Sequence, residues 1–394
     1  MTPTPAPAAA LRSDATALDA VAALLGPGPG EAGAGATRTY VVIPSPRAPR
    51  YILPVAGRHA RGARLRPAAR ASREVLNRLV IGPALRVGAG HLLPGKLRVP
   101  DGTAAGPGLR RHLATLLGQD DVDLAVALGA PRPNRKPVIQ VIGADGSTVA
   151  WVKVGVDPHT DALVAHEIDA LRHHVPAAPV VAPEVLASGE WQGHPLLALG
   201  HLPMTEATGD LPLTAAAAQA LAGPLTDEGA TTGRWWKQLR ATADETDPGG
   251  PLDRLLDRLE ETLGDRVWRF GTWHGDLAPW NATWEGDRLH VWDWERAGGP
   301  VPLGLDVVHN RFQVAMLRDG ADLAAARSEI ARRELPTLSA LGYDEDEAPL
   351  VVTAYLATLR ARYALDERLG PLGPGSRIAA AIDADPTIGA GGPA

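Results

Sequence analysis

The stretch Trp273-His274-Gly275-Asp276-Leu277-Ala278-Pro279-Trp280-Asn281, followed twelve residues later by Asp293 in Val291-Trp292-Asp293-Trp294-Glu295, holds the densest set of chemistry-bearing residues in the chain. Between Asn281 and Asp293, Ala282–Trp284 and Leu289–Trp292 are β-prone runs around the polar turn Glu285-Gly286-Asp287-Arg288. A hairpin folded there places Asn281 and Asp293 on adjacent strands. Two hard oxygen ligands converging near a third carboxylate suit Mg²⁺ carrying the phosphate tail of a nucleotide. Asp276, five residues before Asn281, is then able to accept a proton from an attacking hydroxyl. The competing reading is an ordinary polar turn and hairpin; spacing, order and neighbours favour the first.

Working outward, the chain on the C-terminal side of Pro203 is mainly helical, with helices expected over Leu213–Ala222, Trp235–Thr242, Leu252–Leu263, Val307–Leu317, Ala321–Glu334 and Leu350–Leu369. On the N-terminal side the order is strand-rich. Gly108–Leu117 reads as a helix, Val122–Leu128, Val138–Ile142 and Thr148–Val154 as strands, Thr160–His173 as a helix capped by Thr160, and Val185–Gly189 and Pro195–Leu199 as strands. The turn-rich loop Gly129–Lys136 carries Arg132, Arg135 and Lys136. A five-stranded antiparallel sheet with one helix after its third strand, then a larger helical lobe, is the expected layout.

These residues carry a family resemblance. His-x-Asp-x-x-x-x-Asn followed by a metal-binding Asp resembles the catalytic arrangement of protein kinases. The His-Gly-Asp version, with Asp-Trp-Glu at Asp293–Glu295, is similar to the aminoglycoside phosphotransferase and choline kinase branch of that superfamily. The resemblance implies a bilobal protein-kinase-like α+β fold, with a small antiparallel β lobe and a larger helical lobe. It implies ATP and Mg²⁺, with transfer of phosphate to a hydroxyl of a small molecule of the aminoglycoside, sugar or amino-alcohol type. Carried over, Asp276 matches the catalytic base, His274 the histidine bracing its loop, and Asn281 and Asp293 the metal ligands. Asp306 matches the later aspartate that supports the loop. Lys153 and Glu167 match the ion pair that steadies the α- and β-phosphates, and Gly200 to Leu202 the hinge that binds adenine. Arg132 and Arg135 are candidates for phosphate contact, because the Gly129–Lys136 loop stands where protein kinases have Gly-x-Gly-x-x-Gly. No Ala-Pro-Glu element follows Asp293, which argues against a protein substrate. Two alternatives remain: a kinase-like binding or scaffold protein without turnover, and transfer of AMP in place of phosphate.

Composition sets the outer limits. Of 394 residues, 45% are hydrophobic and 21% charged, as in a globular protein, and the absence of cysteine excludes disulfides and thiolate chemistry. No apolar run reaches the roughly 20 residues of a membrane span, and Met1 to Leu11 does not read as a signal peptide; a cytoplasmic protein is expected. The net charge of −6 hides an asymmetry: Arg38 to Arg98 holds 13 Lys or Arg against Glu74 alone. That segment, with β-prone runs at Thr39–Pro44 and Tyr51–Val55 and a helical spacing over Ala68–Ile81, reads as a small basic α/β unit. The two β-prone runs, with the prolines around their connection, fit a hairpin or two short edge strands. Contact with a polyanion or with the acidic helical lobe is expected of it, but no motif marks it as a nucleic-acid binder. The expected divisions are a flexible Ala/Pro/Gly-rich segment at 1–36, the basic unit at 37–118, the β lobe at 119–203, the helical lobe at 204–380 and a disordered tail at 381–394. The tryptophans clustered from Trp273 to Trp294 are expected to be core, and Asp344-Glu345-Asp346-Glu347 a solvated acidic loop.

Overall fold

A computed structural model describes residues 11, 13–28, 36–55, 57–63, 89–103, 106–129, 131–132, 134–203, 210–370, 372–373, 375–385 and 387–388. The helix expected over Ala68–Ile81 and half of the segments expected to be flexible at either end lie outside them; the described half is largely ordered, with helices at Asp14–Leu25 and Gly375–Ala384 where a flexible segment and the start of a disordered tail were expected. In chain order the elements are α1 (Asp14–Leu25), β1 (Thr37–Ser45), β2 (Ala48–Pro54), α2 (Gly57–Gly62), β3 (Lys96–Pro100), α3 (Leu109–Leu116), β4 (Val122–Leu128), β5 (Pro137–Gly143), β6 (Thr148–Val154), α4 (Pro158–His173), β7 (Val180–Val181), β8 (Val185–Trp191) and β9 (His194–Leu199). There follow α5 (Ala215–Ala222), β10 (Thr226–Gly229), α6 (Arg234–Thr246), α7 (Pro251–Leu263), β11 (Val267–Trp273), β12 (Ala282–Glu285), β13 (Arg288–Val291), β14 (Gly298–Pro302), α8 (Leu305–Gln313), α9 (Leu323–Ala340), α10 (Ala348–Glu367) and α11 (Gly375–Ala384). The fold is α+β, and it divides into two compact units: Met1–Asp169 with Pro183–Leu202, and Ala170–Ala182 with Pro203–Ala394.

The first unit is built on one eight-stranded sheet in the order β3-β1-β2-β4-β5-β6-β9-β8, all its pairings antiparallel. Five strands were expected here; the other three come from the basic segment. β2 joins β4 through Tyr51 opposite Ala127 and Ile52 opposite Val126, so the sheet runs across the boundary expected at 118/119. β1 and β2 form the expected hairpin, and neither is an edge strand. Their prolines stand at strand ends (Pro44, Pro49, Pro54), which leaves the ladder over Tyr40–Ile43 intact. Val122, Leu124, Val126 and Leu128 alternate onto one face of β4 and share a core with Val21 and Leu24 of α1 and Leu109 and Leu113 of α3. Ala125 and Ile142 point to the other face, into a smaller cluster with Val41, Ile43 and Leu53. Of the basic segment, Arg50 bonds Asp14 at 2.8 Å and Arg38 reaches Asp123 at 3.9 Å, both inside this unit.

The second unit is helical around α10, twelve of whose twenty residues are buried. Two three-stranded sheets accompany the helices, β10-β11-β14 and β12-β13-β7. β12 and β13 form the hairpin expected between Asn281 and Asp293, with Ala282 opposite Val291 and Glu285 opposite Arg288. Trp268, Trp273 and Trp294 are buried, as expected of core tryptophans, while Trp280, Trp284 and Trp292 are half-buried. The acidic run is partly structural: Glu347 accepts the Trp268 indole N–H at 2.8 Å, and Asp344 accepts the Glu347 N–H.

Candidate functional site

In the first unit, Lys153 stands on β6 and Glu167 on α4. The Lys153 Nζ lies 2.6 Å from both Glu167 oxygens, and both residues are buried. The start of α4 fixes this geometry. Asp157 Oδ1 accepts the Thr160 N–H at 2.7 Å while Thr160 Oγ1 accepts the Asp157 N–H at 3.0 Å, a reciprocal box that satisfies two otherwise unpaired amides. The cap is thus Asp157, with Thr160 as its partner and not the cap itself. Arg135 corrects a second expectation. Its side chain is fully buried, 2.9 Å from Asp14 and bonded to the carbonyls of Leu11 and Pro49, so it cannot reach a phosphate. It reads as a loop residue in sequence because Asp14, far upstream, is invisible as its partner. Arg132 is exposed. Gly200 and Leu202 are half-buried beyond β9, and the Gly200 N–H is used by the Glu184 carbonyl at 2.8 Å. The Trp151 indole N–H donates to His201 Nδ1 at 3.2 Å.

In the second unit, the loop after β11 carries His274, Gly275 and Asp276. Gly275 has φ +78°, and a Cβ there would run into the Arg296 carbonyl oxygen, so only glycine fits. His274 Nδ1 accepts the Asp276 N–H at 3.2 Å. Its proton is therefore on Nε2, and burial lowers the ring's pKa to about 4, keeping it neutral. Asn281 Nδ2 donates to the Asp276 backbone carbonyl at 2.8 Å and to Asp276 Oδ2 at 3.0 Å. With its nitrogen committed, Asn281 offers its amide oxygen as a ligand. The Trp292 N–H donates to the Asn281 carbonyl at 3.0 Å, continuing the hairpin ladder to the neighbour of Asp293. Asp293 has φ 69° and ψ 56°, a left-handed conformation that is uncommon for non-glycine residues and that aspartate and asparagine adopt most readily.

One face of α8 braces this loop. Asp306 accepts the N–H of His274 at 2.7 Å and of Gly275 at 3.1 Å. His309 Nε2 lies 3.4 Å from Asp276 Oδ1, and Asn310 Nδ2 donates to the Leu277 carbonyl at 3.3 Å. Residues i, i+3 and i+4 of one helix thus meet four consecutive loop residues. From α10, Arg362 donates to the Gly275 carbonyl at 2.5 Å, its guanidinium 5.8 Å from the Trp273 ring. Burial raises the Asp306 carboxyl to about 6 despite its two amide donors. For Asp276 burial also pushes upward, but the neighbouring His309 and Arg362 hold the carboxyl below its ordinary value. Asp276 is therefore ionised near neutrality and able to take a proton.

Sequence reasoning found His274, Asp276, Asn281, Asp293 and Asp306, and the structure brings His274, Asp276, Asn281 and Asp306 into direct contact within the loop and its brace. It missed His309, Asn310, Tyr355 and Arg362. A signal for the first two exists: polar residues at i+3 and i+4 from Asp306 on an otherwise apolar helix. Arg362 has no local signal. For Mg²⁺, the chain's donor set is an amide oxygen and a carboxylate, both hard. Among the described residues no three His, Asp or Glu side chains gather to hold a metal by themselves.

No protein-family model matches the chain, and no curated protein matches it in sequence. Among solved structures it is similar to a thermostable mutant of aminoglycoside phosphotransferase APH(4)-Ia in a ternary complex with AMP-PNP and hygromycin B, at 18% identity, 72% of this chain, 99% of that one and a TM-score of 0.47. It is also similar to an amicoumacin kinase in complex with AMP-PNP, Ca²⁺ and Ami, at 14% identity, 71% of this chain, 94% of that one and a TM-score of 0.42. A third is the putative fructosamine-3-kinase of Haemophilus somnus 129PT, at 15% identity, 70% of this chain, 95% of that one and a TM-score of 0.38.

Proposed function

We propose that the chain is an ATP-dependent phosphotransferase that moves the γ-phosphoryl group of ATP to a hydroxyl of a small molecule. The observation that carries this is the pairing of Asp276 with Asn281 across five residues, clamped from below by Asp306 and continued by the hairpin to Asp293. A merely structural turn has no need of an ionised, half-exposed carboxylate set beside an amide and followed by a second carboxylate in a left-handed conformation. Asp276 orients the acceptor hydroxyl and takes its proton as the oxygen–phosphorus bond forms and the bond from the γ-phosphorus to the bridging oxygen breaks, leaving ADP. Asn281 and Asp293 would hold Mg²⁺, which when bound neutralises phosphate charge. Lys153, fixed by Glu167, would bind the α- and β-phosphates, with Arg132 as a further contact and the Gly200 to Leu202 backbone taking the adenine. The test is transfer of γ-labelled phosphate from MgATP into a metabolite extract, with Asp276→Asn as the control. Label in a new small molecule only with the intact chain supports the reading. MgATP binding without any transfer would favour the scaffold alternative, and a product heavier by AMP would favour adenylyl transfer.

A further inference from the structure

We infer that His309 is a positioning residue for Asp276, held by Tyr355 with its proton on Nε2 and aimed at the Asp276 carboxylate. The inference rests on the reading of Asp276 as the base. His309 is completely buried, and so is Tyr355. The Tyr355 hydroxyl lies 3.1 Å from His309 Nδ1. A neutral imidazole has one donor and one acceptor nitrogen. A Tyr355 hydroxyl that donates to Nδ1 makes Nδ1 the acceptor and puts the proton on Nε2.

That Nε2 is a buried polar atom without a well-formed hydrogen bond, and the nearest polar atom facing it is Asp276 Oδ1 at 3.4 Å. An orphaned buried donor is destabilising, and folds seldom keep one unless another state satisfies it. Catalytic hydrogen bonds are often long in the free enzyme and tighten in the reacting complex. The two Asp276 oxygens then have different holders: Oδ2 is fixed by Asn281, and Oδ1 is drawn by His309. Together they set the carboxylate plane, leaving the remaining lone pairs for the acceptor's hydroxyl. Packing fixes the ring as well: its centroid is 6.3 Å from that of Trp273, edge to face, and 5.7 Å from that of Tyr355.

The test uses the full chain with water as acceptor, reading phosphate release from MgATP, alongside ¹⁵N NMR of the histidine rings. His309→Leu should lower kcat about 10²-fold, the scale of a misplaced catalytic group, with KM for MgATP unchanged. His309→Gln, whose amide nitrogen can stand where Nε2–H stood, should recover most of that loss. The NMR should show His309 protonated on Nε2 in the native chain, and a shift toward the other tautomer in Tyr355→Phe. Unchanged kcat in His309→Leu, or equal losses in the Leu and Gln variants at equal thermal stability, overturns the inference. So does a proton on Nδ1 in the native chain. If the native chain releases no phosphate to water, the tautomer decides the inference, while the phosphotransferase reading fails separately, on the absence of label transfer into the metabolite extract.

Discussion

At the scale of single residues, the site depends on two carboxylates with opposite relations to their backbone. Asp276 sits on a loop made possible by Gly275, and its side chain is engaged from two sides. On the proposed reading, removing its side chain takes away the proton acceptor, while its backbone carbonyl still holds Asn281, so Asp276→Ala should keep the fold and MgATP binding while kcat falls by about 10²–10⁴; steady-state kinetics beside a nucleotide-binding titration separate the two. Asp293 instead occupies a left-handed conformation at φ 69°, which aspartate tolerates better than most non-glycine residues and which costs glycine little. Asp293→Gly is therefore expected to lose turnover at least as severely as Asp276→Ala while its unfolding midpoint holds or rises. A midpoint that drops by several degrees together with activity would mean that Asp293 is there for stability. Both aspartates were legible in the sequence, because their chemistry is encoded in short-range spacing. What was not legible is the second half of the Asp276 environment. His309, Tyr355 and Arg362 lie 33, 79 and 86 residues downstream, and only the packing of α8 and α10 brings them to the loop.

At the scale of elements, regular structure was read well where one period dominates. β4 and β6 lie where the sequence predicts them to the residue, and the helices of the second unit differ mainly at their ends. Among the failures are short strands whose hydrogen bonds, not their side chains, define them: β3, β10 and β14 carry little alternation, and β7 has two residues; the helix α11, whose end falls where a disordered tail was expected, is another. The element that matters most to the site is α8. Its first turn presents Asp306 to two loop amides, and burial raises that carboxyl to about 6 in the folded chain against 3.8 for the ordinary group. The sign follows from proton linkage. Between the two values the folded state holds more protons than the unfolded one, so the stability contributed by Asp306 is complete below about 4 and is lost as pH rises through about 6. A carboxyl displaced that far corresponds to about 3 kcal/mol. Urea unfolding of the native chain and of Asp306→Asn across this range should show the native chain losing ground to the variant between pH 4 and 7, with no further change above. A difference that grows in the opposite direction would mean that the two amide bonds outweigh burial.

At the scale of the whole molecule, the reading of the basic segment changes most. Composition marks it off, since 13 basic residues against one acid look like a separate body. The backbone ignores that boundary: β1 to β3 extend the sheet of β4 to β9, and α1 packs on the same core. Charge patterning reports what a surface is made of, whereas the sheet is decided by strand edges that must be paired. Asp14 is the residue through which this can be tested. It bonds Arg50 and lies 2.9 Å from the fully buried Arg135, whose guanidinium also holds the Leu11 and Pro49 carbonyls. Asp14→Ala leaves a buried cation without its counter-charge, an insult that costs about 3–5 kcal/mol when a buried pair loses one member. Asp14 itself is about a quarter exposed, which places the expected loss at the lower end. If α1 and the sheet are one cooperative body, hydrogen exchange in β4 and β5 should accelerate in Asp14→Ala together with that in α1. Acceleration confined to α1 and β1, with β4 and β5 protected as before, would mean that the segment folds onto the sheet as a separate unit, as its composition suggests.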